Sequence, residues 1–345
     1  MRALVTGGNG FVGSHVVAAL LEAGHEVVAT VREPDDPART AALRALGDAH
    51  PGRLTVRHGE LLVEGSFDEA MDGCDTVLHV ASPFLMAEQI SDPQTQLIEP
   101  ALTGTRNVLG SATRTASVTR VVLTSTIGAM FGDYSDVLEI PDRVLREEHW
   151  NSTSTLEREP YHYSKTLAER EAWRLHAEQD RWSLVTVNPG LVLGPALAAG
   201  SVSGSLFLFD ELIGGTLWFG VPDIAFAPVD VREVALAHVR AAERREVGGR
   251  VIVSRDTMVA FIDFARMVRA QQPRLPRVAR TVLPTWLLRM VGPAFGLDRA
   301  FIENHVGIRF ALDNTRSIAE LGIAYRPVEE TMRDHVAAWR QLHGR

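Results

Sequence analysis

Along the first half of the chain, short apolar runs rich in β-branched residues alternate with segments whose apolar positions recur at helical spacing. The runs are RALVTG, HEVVATV, LTVRHGEL, DTVLHVAS and RVVLTST. Helical patterns lie at about residues 11–23 and around PARTAALRALG, SFDEAMDG and PQTQLIEPALTGTRNVLGSATR. Runs that are apolar at every position predict strands covered on both faces, so the expectation is an α/β domain with a doubly wound parallel sheet. A long helical pattern follows Tyr161 and leads into another strand, SLVTVNPGLVLG. Beyond about Leu191 the pattern loosens, with helices predicted near 205–215, 231–243 and 258–271 and one more strand at GRVIVS. The Pro-spaced stretch 273–293 and the helix VEETMRDHVAAWRQLH predict a smaller, mostly helical lobe. The expected division is 1–190, with returning segments near 225–255, for the sheet domain, and 191–224 with 256–345 for the lobe. A cleft is expected between the lobe and the carboxyl ends of the strands.

With 345 residues and 46% hydrophobic content, the chain can bury one large core or two unequal ones. A net charge of -8 gives no basic footprint for nucleic acid, so anionic ligands must be met by local arginines. Cys74 is the only cysteine, which excludes an internal disulfide and a multi-cysteine metal site. The N-terminus runs from Met1 into a short apolar run without a charged leader. The greasiest later segment, SLFLFDELIGGTLWFGV, is interrupted by Asp210, Glu211 and a glycine pair. A cytoplasmic, soluble protein with neither nucleic-acid nor membrane partners is expected.

Gly7, Gly10 and Gly13 in VTGGNGFVGSHVV fall directly after the first strand and before the first helix. This spacing suits a Rossmann dinucleotide-binding turn, in which the glycines allow a tight bend, close approach to a pyrophosphate and close helix packing. The helix N-terminus, at Phe11 and Val12, then faces the anion. At the end of the second strand the chain reads VVATVREPDDPAR. No acid stands at the strand tip, while Arg32 follows it and Arg39 offers a second guanidinium, which favours NADP over NAD.

Lys165 is the only lysine in the chain, where arginine takes every other such cationic position. It lies four residues after Tyr161 in EPYHYSKTLAERE, so the two share a helix face. With four tyrosines in the chain, chance gives this spacing roughly one time in 90, which favours a chemical reason. A neighbouring ammonium favours a phenolate and is expected to lower the tyrosine pKa, and it also reaches ribose hydroxyls in a way a planar guanidinium does not. Tyr163 faces away from Lys165 and reads as packing or cleft lining. A substrate-orienting hydroxyl is expected from RVVLTST, with Ser125 and Thr126 both eligible.

These residues, with TGGNGFVG, VREP, GELLVEGSFDEAMDGCDTVLHVASPF, RVVLTST, REEHWN, VNPGLVLGP, APVDVREVALAHVRAAE and DNTRSIAELGIAYRPVEETMRD, carry a resemblance over nearly the whole chain. The chain resembles the extended short-chain dehydrogenase/reductases, within them the branch of dihydroflavonol reductases, cinnamoyl-CoA reductases and fungal aldehyde (methylglyoxal) reductases. The resemblance implies Tyr161 as proton donor, Lys165 as its partner and Thr126, rather than Ser125, as the substrate hydroxyl. It places Glu60 and Leu61 near adenine, Ala81 and Ser82 beside the cofactor, Pro189 and Val192 against the nicotinamide, and Ser205 at the diphosphate. Phe131 stands where flavonoid reductases carry Asn and resembles the aldehyde and ketone reductases instead; with Phe84, Tyr163 and Trp218 it suggests an apolar pocket. The implied activity is NADPH-dependent reduction of a small carbonyl substrate without metal, by a monomer or homodimer. A nucleotide-sugar epimerase, a 3β-hydroxysteroid dehydrogenase and a non-catalytic NADP sensor are the rival readings.

Overall fold

Seven parallel strands form the central sheet: β1 (Arg2–Thr6), β2 (Glu26–Val31), β3 (Leu54–His58), β4 (Thr76–His79), β5 (Arg120–Thr124), β6 (Ser183–Pro189) and β7 (Gly249–Val253). Their spatial order is β3-β2-β1-β4-β5-β6-β7, with all neighbours parallel. The computed structural model describes residues 1–82, 90–197, 203–271, 278–295 and 297–343.

The continuous apolar runs fill two cores at once. Ala3 and Val5 point into one cluster and Leu4 into the other, as do Val27 and Ala29 against Val28. Each buried valine or leucine among them contributes about 1.5–3 kcal/mol. Helices Phe11–Glu22 and Val231–Glu243 pack together on the first face, and helices Glu99–Arg114 and Pro160–Ala177 on the second. The chain leaves β3 at one edge and re-enters the sheet centre at β4, beside β1, so loops diverge there and leave a crevice at the strand ends.

Three predicted helices differ in detail. The pattern expected as one helix through Pro100 opens with a π-helical turn, Gln94–Ile98, before Glu99–Arg114. Pro100 has no N–H to donate, so the regular ladder cannot continue back through it. The helix expected from about 258 starts at Phe261, because Val259–Ala260 pair antiparallel with Ala225–Phe226. SFDEAMDG yields only the single turn Asp68–Met71.

After β6 the chain builds a third core from helices Gly204–Gly214, Phe261–Gln271 and Val328–His343, around Phe209, Phe264, Met332 and Trp339. Leu321 and Ile323 return to pack in the first sheet core. Cys74 is buried, and burial pushes its thiol up to about 11. Among the described residues, no helix is long and apolar enough to cross a membrane.

Candidate active site

The glycine loop leaves no room for side chains. Gly7 has φ +67, and a Cβ on it would come within 3.0 Å of the Ala81 Cα; a Cβ on Gly13 would lie 2.1 Å from the Gly7 carbonyl oxygen. The Gly10 N–H donates to that oxygen at 2.9 Å. Gly10 offers no side-chain cap and the first helical turn holds no acid, so the N-terminal N–H groups of helix Phe11–Glu22 keep their affinity for an anion. Phe11, Val12, Val192 and Leu206 gather in one cluster, which brings the start of helix Gly204–Gly214 and its Ser205 to the loop.

Around this loop the other expected cofactor residues sit at strand ends. Arg32 directly follows β2 and is exposed. Arg39 pairs instead with Glu33 at 3.2 Å and Asp36 at 3.5 Å, so it holds the acid that follows Arg32. Glu60 and Leu61 follow β3; the Glu60 N–H donates to Ser66 Oγ at 2.8 Å, and Leu61 packs against Gly104. The Ala81 N–H donates to Thr6 Oγ1 at 3.0 Å, tying the end of β4 to β1. Pro189 closes β6 and is buried, while Val192 is half-buried.

Tyr161 and Lys165 lie on helix Pro160–Ala177. Tyr161 keeps 39% of its surface exposed, whereas Lys165 is buried. The Lys165 ammonium donates to the Thr124 carbonyl at 3.2 Å and to Ser82 Oγ at 3.4 Å, spanning the ends of β5 and β4. Burial lowers its pKa to about 8 against the opposing effect of Glu169. The expected lowering of the phenol is not what the structure shows: crowding by the surrounding chain raises the Tyr161 pKa even with its outer face open. Lys165 is directed at the strand ends, and desolvation is the cause that acts on the phenol.

Ser125 and Thr126 separate cleanly. Ser125 is buried and its hydroxyl donates to the Glu169 carboxylate. Thr126 is half-buried; its Oγ1 accepts from the Gly128 N–H at 3.2 Å and lies 3.5 Å from the Pro189 carbonyl, capping the turn Ile127–Ala129. Only Thr126 keeps a hydroxyl free of a buried acid.

Sequence reasoning missed Glu169 and Arg250. They form a buried pair at 2.6 Å between the site helix and β7, a pairing across 81 positions that no local pattern announces. The one available signal was the acid one helical turn after Lys165.

On the substrate side, Phe131 is not a lining residue here. It is 4% exposed and meets Tyr134, His162 and Phe310 edge-on at ring distances of 5.8, 5.5 and 5.4 Å, so it backs the site from the core. Tyr163 is half-buried, Trp218 is 65% exposed on the lobe surface, and Phe84 lies outside the described residues. Near the helix start, Asp133, Glu159 and His305 each bring a ligand-type atom within 4.8 Å, but the Arg158 guanidinium already pairs with Asp133.

A glycine loop at the sheet's switch point, with a tyrosine and a lysine on one helix at the adjoining strand ends, defines a dinucleotide-dependent α/β enzyme. The chain belongs to the NAD dependent epimerase/dehydratase family, whose model matches residues 3–253, and so to the extended short-chain dehydrogenase/reductases. It is similar to a cinnamoyl-CoA reductase of Medicago truncatula, 33% identical over 98% of this chain and 95% of that one. An anthocyanidin reductase of Vitis vinifera is 36% identical over 72% and 75% of the respective chains. The solved yeast methylglyoxal/isovaleraldehyde reductase Gre2, complexed with NADPH, covers 100% of both chains with a TM-score of 0.80 at 27% identity.

Proposed function

We propose that the protein reduces an aldehyde or ketone to the alcohol, with Tyr161 giving the proton and NADPH, when bound, supplying the hydride. The chain is an NADP-dependent oxidoreductase acting on carbonyl and alcohol groups. The observation that carries the finer reading is the open phenol of Tyr161 one helical turn from an ammonium anchored on the ends of β4 and β5, beside the glycine loop. A phenol with a raised pKa holds its proton at neutral pH and can give it to an oxygen that becomes alkoxide-like. Thr126 Oγ1 orients that oxygen by a hydrogen bond. Lys165 contributes positive charge to the cleft. The names of the relatives support a reductase, and the Gre2 structure with NADPH supports the cofactor.

Arg32 is the natural partner for a 2'-phosphate, since Glu33 is held away by Arg39. Arg32→Ala is therefore expected to raise KM for NADPH roughly ten- to a hundredfold, the value of one charge-assisted hydrogen bond of about 1.5–3 kcal/mol, and to leave KM for NADH nearly unchanged. Steady-state kinetics with both cofactors checks this. The function itself is tested by following NADPH oxidation against short aldehydes, α-diketones, β-ketoesters, aryl ketones, dihydroflavonols and cinnamoyl-CoA. Turnover of a carbonyl substrate with NADPH is expected, and a panel silent despite tight NADPH binding would overturn the reading in favour of a sensor.

A further inference from the structure

Glu169 stands one helical turn beyond Lys165, as Lys165 stands one turn beyond Tyr161, so all three share a face. Its side chain is fully buried. Donors converge on it from three directions: Arg250 Nε at 2.6 Å from β7, Asn188 Nδ2 at 2.8 Å from β6, and the Ser125 hydroxyl from the end of β5. Trp173 Nε1 adds a fourth at 3.3 Å from its own helix. Thr186 Oγ1 is also within 3.3 Å but lies closer to Asn188 Oδ1, at 2.9 Å. Nothing but a carboxylate accepts from so many donors.

Three of these partners, Ser125, Asn188 and Arg250, in turn grip the segment that carries Thr126. Asn188 Nδ2 donates to the Thr126 carbonyl at 3.1 Å, and Ser125 is its chain neighbour. Arg250 Nη2 donates to the Ala129 carbonyl at 3.2 Å, on the turn that Thr126 caps, while Nη1 holds the Glu147 carbonyl at 2.8 Å and also that of His149. The Trp150 ring stacks on the guanidinium at 3.9 Å.

We propose that Glu169 is a positioning residue for the reaction, fixing the Thr126 turn through Ser125, Asn188 and Arg250 and placing a negative charge beside Lys165. This rests on the carbonyl-reductase reading. With its side chain fully buried, Glu169 would act through these other groups.

The charge part has its own readout. Among the described residues, the titratable and charged groups around Lys165 are Tyr161 and Glu169 on its helix and His79 on β4; behind Glu169 lies Arg250, and His238 meets Thr124 Oγ1 at 2.7 Å. Burial depresses His79 to about 3 and His238 to about 4, so both are neutral above pH 5. The phenol of Tyr161 is raised above its ordinary value. An alkaline limb near pH 8 therefore belongs to Lys165: activity is present below it and lost as pH rises through it. Glu169 opposes the lowering by burial, so removing its charge moves this limb to lower pH.

Glu169→Gln keeps the shape and removes the charge. It is expected to lower kcat at least about tenfold, to leave KM for NADPH within roughly threefold, and to move the alkaline limb of kcat acidward. Glu169→Asp keeps the charge but withdraws it, so kcat falls while the limb moves acidward less than in Glu169→Gln. A folded Glu169→Gln with wild-type kcat, or with a lowered kcat and an unmoved limb, overturns the proposal. Should Glu169→Gln fail to fold, Glu169→Asp decides: a lowered kcat with the limb in place or displaced acidward supports the proposal, and wild-type kcat or a limb displaced to higher pH overturns it. Wild-type turnover in the same assay separates the two levels, because a silent wild type sinks the reductase reading itself, whereas an active wild type with indifferent variants sinks only this inference.

Discussion

Tyr161→Phe is expected to lower kcat for carbonyl reduction by roughly 10²–10⁴-fold, the usual contribution of a positioned proton donor. The substitution removes one oxygen from a ring that already stands 39% exposed, so it disturbs little packing. Among the described residues the phenol oxygen holds no other element by a hydrogen bond, and Ser164 bonds to the Tyr161 backbone carbonyl rather than to the ring. NADPH affinity should stay within about threefold of wild type, because the loss is confined to the chemical step. Single-turnover kinetics alongside NADPH titration would check it. A variant as fast as wild type would remove Tyr161 from the mechanism.

Gly13→Ala should abolish cofactor binding. Its added methyl would sit 2.1 Å from the Gly7 carbonyl oxygen and 2.9 Å from its carbon, and both are backbone atoms of a loop already closed by the Gly10 to Gly7 hydrogen bond. The loop must open, which turns its N–H groups away from the pyrophosphate. Losing two charge-assisted contacts of about 1.5–3 kcal/mol each amounts to a rise in Kd of roughly a hundredfold or more. Calorimetric titration with NADPH measures it directly, and undiminished affinity would show that this loop is not the phosphate cradle. Gly47→Ala is the matched control: in helix Pro37–Ala49 the new methyl meets nothing nearer than the Leu54 Cδ2 at 3.9 Å, and the helix should gain about 0.5–1 kcal/mol.

The two residues behind these predictions were legible because their signals are local. The glycine spacing and the Tyr–Lys interval are short-range patterns, each meaningful once the flanking strand and helix are recognised. The same holds for the strands of the parallel sheet, whose uninterrupted apolar runs follow from burial on both faces. What escaped was either non-local or dependent on surroundings. Ser125 and Thr126 are indistinguishable hydroxyls in the sequence, and only the buried carboxylate of Glu169, 44 positions away from Ser125, separates them. Phe131 reads equally as pocket or core until Phe310 is seen against it. The direction of the Tyr161 shift turned on crowding, which spacing does not report.

Arg250 comes from the sheet strand that is last in sequence, and this bears on how the molecule reaches its working form. A nascent chain that has emerged through β6 already carries the glycine loop, Thr126, Tyr161 and Lys165. It does not yet carry the guanidinium that faces Glu169. Asn188 and Ser125 already donate to that acid, but burying it without its charged partner costs about 3–5 kcal/mol, a large part of an ordinary domain's stability. Firm seating of the Pro160–Ala177 helix is therefore expected only once Arg250 is present, 81 residues after Glu169.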